Sequence, residues 1–213
     1  KIQLEEQRRD LEQRQTEQVD LLQQTERSER KFQLYVQQLQ QEQRQIEREI
    51  TSLERKIREE LERRAKAKEL QRLGKIGFQW PTDGRYITAR FHDPDYPYRY
   101  IFEHPAIDIR AAQGSPVFAA EEGIVGKVKN GGAKGYSYVM VVHRDGFSTV
   151  YGHVSRSLVN EGELVQRGQT IAASGGKPGT PGAGALTSGP HLHFEIRLNS
   201  VPTDPLKYLP RDW

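Results

Sequence analysis

The sequence predicts an α+β protein: a long amino-terminal coiled-coil helix over residues 1–73, then a mainly antiparallel β domain over residues 74–213. Three observations predict it. Residues 1–73 contain neither Gly nor Pro and are dominated by Gln, Glu and Arg, which lose little freedom in a helix. Nearly all Gly, Pro and aromatic residues come after Leu73. From Gly74 onward, short β-branched runs punctuated by Gly and Asp replace the helical pattern.

The helical arm carries a seven-residue register. One core position takes Leu4, Leu11, Thr25, Phe32, Leu39, Ile46 and Leu53; the other takes Leu22, Val36, Ile50 and Ile57. From Phe32 to Ile57 the seam is broken only by Gln43, whereas Arg8, Gln15, Gln18 and Glu29 fall on it earlier. Charges fill the remaining positions, as on a coiled coil or a long solvated helix. At 1.5 Å per residue the arm would reach about 110 Å. Its apolar stripe needs a partner: a second copy, an earlier helix of the same chain, or another protein.

The β domain reads as short strands at Ile107–Arg110, Pro116–Ala119, Gly123–Lys129, Tyr138–His143, Phe147–His153, Thr170–Ala173 and His191–Arg197. Arg144-Asp145-Gly146 lies between two of them and reads as a hairpin turn. Two long loops stand out. Arg85 to Glu103 is rich in Tyr and Pro, and Gly175 to Gly189 is rich in Gly and Pro.

Composition narrows the function classes. The net charge of +3 is a small surplus over two large opposing totals, so nucleic acid is not an expected partner. There is no Cys, so any metal must be held by nitrogen and oxygen. No apolar run approaches the roughly 20 residues of a membrane span, and no signal peptide is visible. The chain starts at Lys1 within a helical pattern, which suggests an excised fragment.

The chemistry sits in two distant motifs, His104-Pro105-Ala106-Ile107-Asp108 and His191-Leu192-His193. Two imidazoles and a carboxylate are a common ligand set for a catalytic zinc with an open position, so the first reading is a zinc hydrolase. His191 and His193, two apart on a strand, share one face. Four extended residues span roughly 13 Å, so the His104–Asp108 segment must bend if both are to reach one ion, and Pro105 suits that bend. Ile107 and Ile109 would then face away from Asp108. His153 closes a predicted strand, where it could take a proton from a water or support an oxyanion. His143, before the hairpin turn, is expected to be exposed. His92 has no assigned role.

These pieces give residues 78 to about 209 a close resemblance to the LytM-type, M23-family zinc metallopeptidases, the lysostaphin-like group. The matching segments are Trp80-Pro81-Thr82-Asp83-Gly84, His104 to Ile109, Ala119 to Val125, Tyr151-Gly152-His153-Val154-Ser155, Val165 to Ile171 and Ser188 to Glu195. The resemblance implies a LytM-like, duplicated hybrid motif-type β fold and a peptidase that cuts peptide bridges of peptidoglycan. It implies Zn2+ held by His104, Asp108 and His193, with His153 and His191 as catalytic imidazoles flanking a zinc-bound water. It further implies an extracytoplasmic location, in the periplasm or cell wall. Two positions depart from the family pattern: Ala106 stands where Gly is frequent, and His153-Val154 where His-Leu is frequent.

A coiled coil before such a domain is similar to the division-associated proteins of the EnvC and PcsB kind. That architecture implies an FtsX-like membrane protein, or a coiled-coil partner, engaging residues 1–73. EnvC-type domains lack the metal set and activate amidases; this chain keeps the set. The short connection from Leu73 to Phe78 also suggests autoinhibition by the arm.

Overall fold

The computed structural model describes residues 2–65, 76–132 and 135–211; within the helix, the side chains at 2–20, 22–23, 26 and 60–65 fall outside the described residues. The expected boundary at Leu73–Gly74, and the side chains of Leu4, Leu11 and Leu22, therefore lie outside them. The described chain is one helix, α1 (Ile2–Ala65), followed by antiparallel strands. By spatial contact it divides into two units, Lys1–Gln45 and Ile46–Trp213.

In the first unit Phe32, at an expected seam position, is 67% exposed, and Leu34 and Tyr35 are exposed beside it. In the second unit the seam is occupied. Ile46, Ile50, Leu53 and Ile57 pack on Tyr138, Met140, Val142 and Val150. The stripe's partner over this stretch is the chain's own β-sheet. This corrects the expectation that it needs another helix, copy or protein: a heptad shows that a face is buried, not what buries it.

The strands are β1 (Ile87–Ala89), β2 (Ile107–Arg110), β3 (Pro116–Phe118), β4 (Gly123–Lys129), β5 (Tyr138–Val142), β6 (Phe147–Gly152), β7 (Val154–Ser157), β8 (Leu164–Val165), β9 (Thr170–Ser174), β10 (His191–Leu198) and β11 (Val201–Thr203). One sheet has the order β1-β2-β10-β6-β5-β4-β8, with β11 also paired to β10; a second has the order β3-β9-β7. Every strand pair is antiparallel.

Alternation along β5 explains the layering. Val139 and Val141 point into the main core with Val117, Ile171, Leu192 and Phe194. Tyr138, Met140 and Val142 point to the opposite face, under α1. All five residues are buried, which accounts for an apolar run without polar alternation. Gly126 on β4 makes room for the helix: a Cβ there would lie 2.6 Å from Ile57 Cδ1 and 2.8 Å from Met140 Cε. The Asp145-Gly146 turn is left-handed at both residues (φ 54° and 79°), as a tight hairpin requires.

His143 departs from expectation. It is 4% exposed, donates from Nδ1 to Glu122 O at 2.7 Å and has Nε2 2.8 Å from the Thr149 hydroxyl. Phe78 packs edge-on against its ring. Sequence proximity to a turn did not reveal these long-range partners.

Candidate active site

The β2–β10–β6 ladder builds the site. β10 alternates His191, His193, Glu195 and Arg197 on one face with Leu192, Phe194 and Ile196 in the core. Its register sets Asp108 opposite His193 on one side and Gly152 opposite His193 on the other. Asp108 emerges between core residues Ile107 and Ile109, as alternation requires. His104 precedes β2, and the chain bends at Pro105 so that His104 Nε2 lies 3.1 Å from Asp108 Oδ1. The required bend is therefore present. Ala106 is fully buried and removes no polar group from the site.

His153 is not the end of a strand. β6 stops at Gly152 and β7 starts at Val154, and His153 between them adopts φ 55°. Left-handed backbone at a non-glycine residue costs of order 1–3 kcal/mol and gathers at functional sites. Here it turns the imidazole toward the others: its ring centroid is 4.6 Å from that of His191 and 5.8 Å from that of His193.

Each imidazole is oriented by a hydrogen bond. His104 Nδ1 donates to Arg90 O at 2.8 Å, His153 Nδ1 to Ala183 O at 2.8 Å, and His191 Nδ1 to Gly189 O at 2.7 Å. His193 Nε2 faces Glu195 Oε1 at 3.3 Å. The acceptor nitrogens are thus Nε2 of His104, His153 and His191 and Nδ1 of His193. His193 Nδ1 lies 3.2 Å from Asp108 Oδ1 and 3.3 Å from His104 Nε2.

Three lone pairs therefore converge with no hydrogen between them unless His193 takes a second proton. A cation relieves this repulsion. Tetrahedral zinc with bonds of 2.0–2.2 Å sets its ligand atoms about 3.3–3.6 Å apart, and the observed separations are 3.1–3.3 Å. His104, Asp108 and His193, all buried, are the only group among the described residues whose donor atoms could hold a metal ion. The donor set fits zinc.

The electrostatics likewise call for positive charge at this point, which a second proton on His193 supplies where no cation is bound. Burial opposes charge on His193, but Asp108 and Glu195 outweigh it and raise the imidazolium to about 9. Burial would raise Asp108, yet hydrogen bonds from His104 and His193 hold it well below the usual carboxylate range. Burial, reinforced by His191 and His193, lowers His153 to about 3.

All five predicted site residues meet here; His92 and His143 do not join them. Sequence reasoning missed three contributors. Tyr96, from the Arg85–Glu103 loop, stacks on His104 with centroids 4.2 Å apart and planes at 19°. Tyr136 stands edge-on to His153 at 5.0 Å, over Gly152. Glu195 orients His193. The alternation of His-Leu-His-Phe-Glu along β10 could have revealed Glu195; no local signal marks the two tyrosines.

Comparison with known proteins follows the same lines. Residues 102–205 match Peptidase family M23. Over 131 residues the chain is 34% identical to the peptidoglycan DD-endopeptidase ShyC of Vibrio cholerae, covering 59% of this chain and 28% of that protein. Over 135 residues it is 32% identical to the murein hydrolase activator NlpD of Salmonella dublin, covering 63% and 32%. A solved zinc-containing peptidase from Vibrio cholerae aligns with TM-score 0.54 and 33% identity, covering 64% of this chain and 41% of that one. The chain spans 28% and 32% of the length of these two curated relatives.

Proposed function

We propose, for a chain whose residues 102–205 match Peptidase family M23, that it is a zinc-dependent endopeptidase acting on peptide cross-links or stem peptides of bacterial peptidoglycan. The observation that carries this reading is the convergence of three oriented lone pairs, from His104, Asp108 and His193, beside two further imidazoles with free Nε2 atoms. An activator without catalysis has no need of those two imidazoles. Peptidoglycan as substrate places the protein outside the cytoplasm.

His104, Asp108 and His193 would hold the metal. Bound zinc supplies Lewis acidity toward the scissile carbonyl and makes a water more acidic. His153, kept neutral by burial, accepts a proton at Nε2. His191, oriented by Gly189 O, turns Nε2 to the same groove, where it would support the developing oxyanion. Tyr96 and Tyr136 wall the imidazoles and restrict water. In this reading the first part of α1, with exposed Phe32, Leu34 and Tyr35, is the arm for a coiled-coil or FtsX-like partner in cell division or wall remodelling.

The relative named as a murein hydrolase activator supports a second reading, a peptidoglycan-binding module that stimulates another hydrolase. Digestion of purified cross-linked peptidoglycan separates the two. New amino groups and smaller muropeptides released by the zinc-loaded chain alone support the endopeptidase. Release only when a partner amidase is added favours the activator.

A further inference from the structure

A line of charged groups runs from the metal site to the helix. On β10, His193, Glu195 and Arg197 follow one another on one face, spaced two residues, or about 7 Å, apart. His193 Nε2 faces Glu195 Oε1 at 3.3 Å; Glu195 Oε2 accepts from Arg197 Nη1 at 2.8 Å. Beyond Arg197 stand two carboxylates of α1. Glu47 Oε1 accepts from Nη2 at 2.6 Å, and Glu54 Oε1 lies 3.1 Å from Nε. Ser148 donates its hydroxyl to the same Glu54 oxygen.

Arg197 and Glu54 are both completely buried. Burying ions is costly, and an apolar cluster of the same volume is often as stable or more so. A patch of Ile and Leu would have docked this helix, as Ile50 does beside it. The ionic line therefore calls for a purpose other than adhesion. Its carboxylates outnumber its one guanidinium, an excess that complements a divalent cation at its far end. Partners of metal-bound histidines fix ring orientation, and their loss typically costs 10–100-fold in metal affinity.

We propose that Arg197 is a positioning residue that couples docking of helix α1 to the metal site, acting through Glu195 on His193. The helix thus serves as an outer support of the ligand set. This rests on the zinc reading above.

The test compares the full chain with Glu47→Gln/Glu54→Gln, which removes both helix charges, and with Glu49→Gln. The latter breaks a different contact of the same helix, the 3.0 Å ion pair with Lys129. Zinc affinity is measured by competition with a chromogenic chelator, and Co2+-loaded protein supplies a visible spectrum that reports ligand geometry. The double variant should bind Zn2+ about tenfold more weakly and shift the Co2+ bands. Glu49→Gln should do neither, even if both variants melt earlier. Should the double variant fail to fold, Arg197→Lys, which keeps a cation but loses the fork, carries the same expectation. Wild-type affinity and an unshifted spectrum in a folded variant overturn the coupling alone. Wild-type protein that binds no zinc overturns the proposed function and this inference with it.

Discussion

Asp108 stands directly across the β2–β10 ladder from His193, and its Oδ1 lies 3.2 Å from His193 Nδ1. Antiparallel register alone therefore delivers two of the three ligand groups, and the bend at Pro105 delivers His104. Asp108→Ala should weaken zinc binding by more than about 100-fold, beyond the cost of losing an outer partner. Chelator competition measures it. Stoichiometric zinc kept by this variant, or by His193→Ala, would overturn the ligand assignment.

His153 touches no ligand position directly but presents Nε2 to the groove, oriented by Ala183 O. His153→Ala should retain zinc with wild-type affinity and lose about 10²–10⁴-fold in turnover. Joint measurement of metal content and peptidoglycan digestion checks this; unchanged digestion would remove His153 from the chemistry.

Gly152 is required by space. A Cβ there would sit 1.9 Å from Tyr136 Oη and 3.1 Å from His193 Cβ. Gly152→Ala should cost about 1–3 kcal/mol of stability and, by shifting His193, reduce turnover about 100-fold. Adding Tyr136→Phe removes the clashing hydroxyl but leaves the ring carbon Cζ at 2.8 Å, and should recover part of the lost stability. Thermal unfolding of the single and double variants gives the answer, and equal melting temperatures for the two would contradict it.

Ile50 is 1% exposed beneath the sheet-facing side of α1. Ile50→Ala should destabilise the protein by about 2–4 kcal/mol, whereas Phe32→Ala, at a position 67% exposed, should stay within about 0.5 kcal/mol. Urea unfolding distinguishes them. Equal effects would mean that helix docking on the sheet is not what stabilises this part of the chain.

His143 gives the fold a pH dependence. Burial lowers it from 6.5 to about 4, against the pull of its hydrogen bond to Glu122 and of Glu121. The unfolded chain then binds the extra proton between those two values. Stability should be unaffected by this group above pH 6.5 and fall as the pH drops toward 4, by about 3 kcal/mol in all. The melting temperature of His143→Gln should therefore drop less between pH 7 and pH 4 than that of the wild type. Parallel curves would refute the assignment.

Much of this was legible in the sequence. Absence of Gly and Pro marked the helix, and short β-branched runs punctuated by Gly and Asp marked seven strands. The short strands β1, β7, β8 and β11 were not, because their two to four residues stand largely exposed or half-buried and carry little apolar pattern. The five residues that converge here were picked out by their joint pattern and by the resemblance to a known family, since each alone is a weak signal. Tyr96 and Tyr136 were not, since stacking on His104 and His153 arises only when distant loops fold together. The heptad from Ile46 to Ile57 was read correctly as buried, but a stripe cannot say whether a helix or a sheet lies opposite.

The most direct test of the account is a zinc titration of the chelated chain, residues 1–213, against purified cross-linked peptidoglycan, following released amino groups. The account predicts no release without metal, and release that rises to a plateau at about one zinc per chain, as one three-ligand site requires. Undiminished release after chelation, or one bound zinc with no release at all, would contradict it.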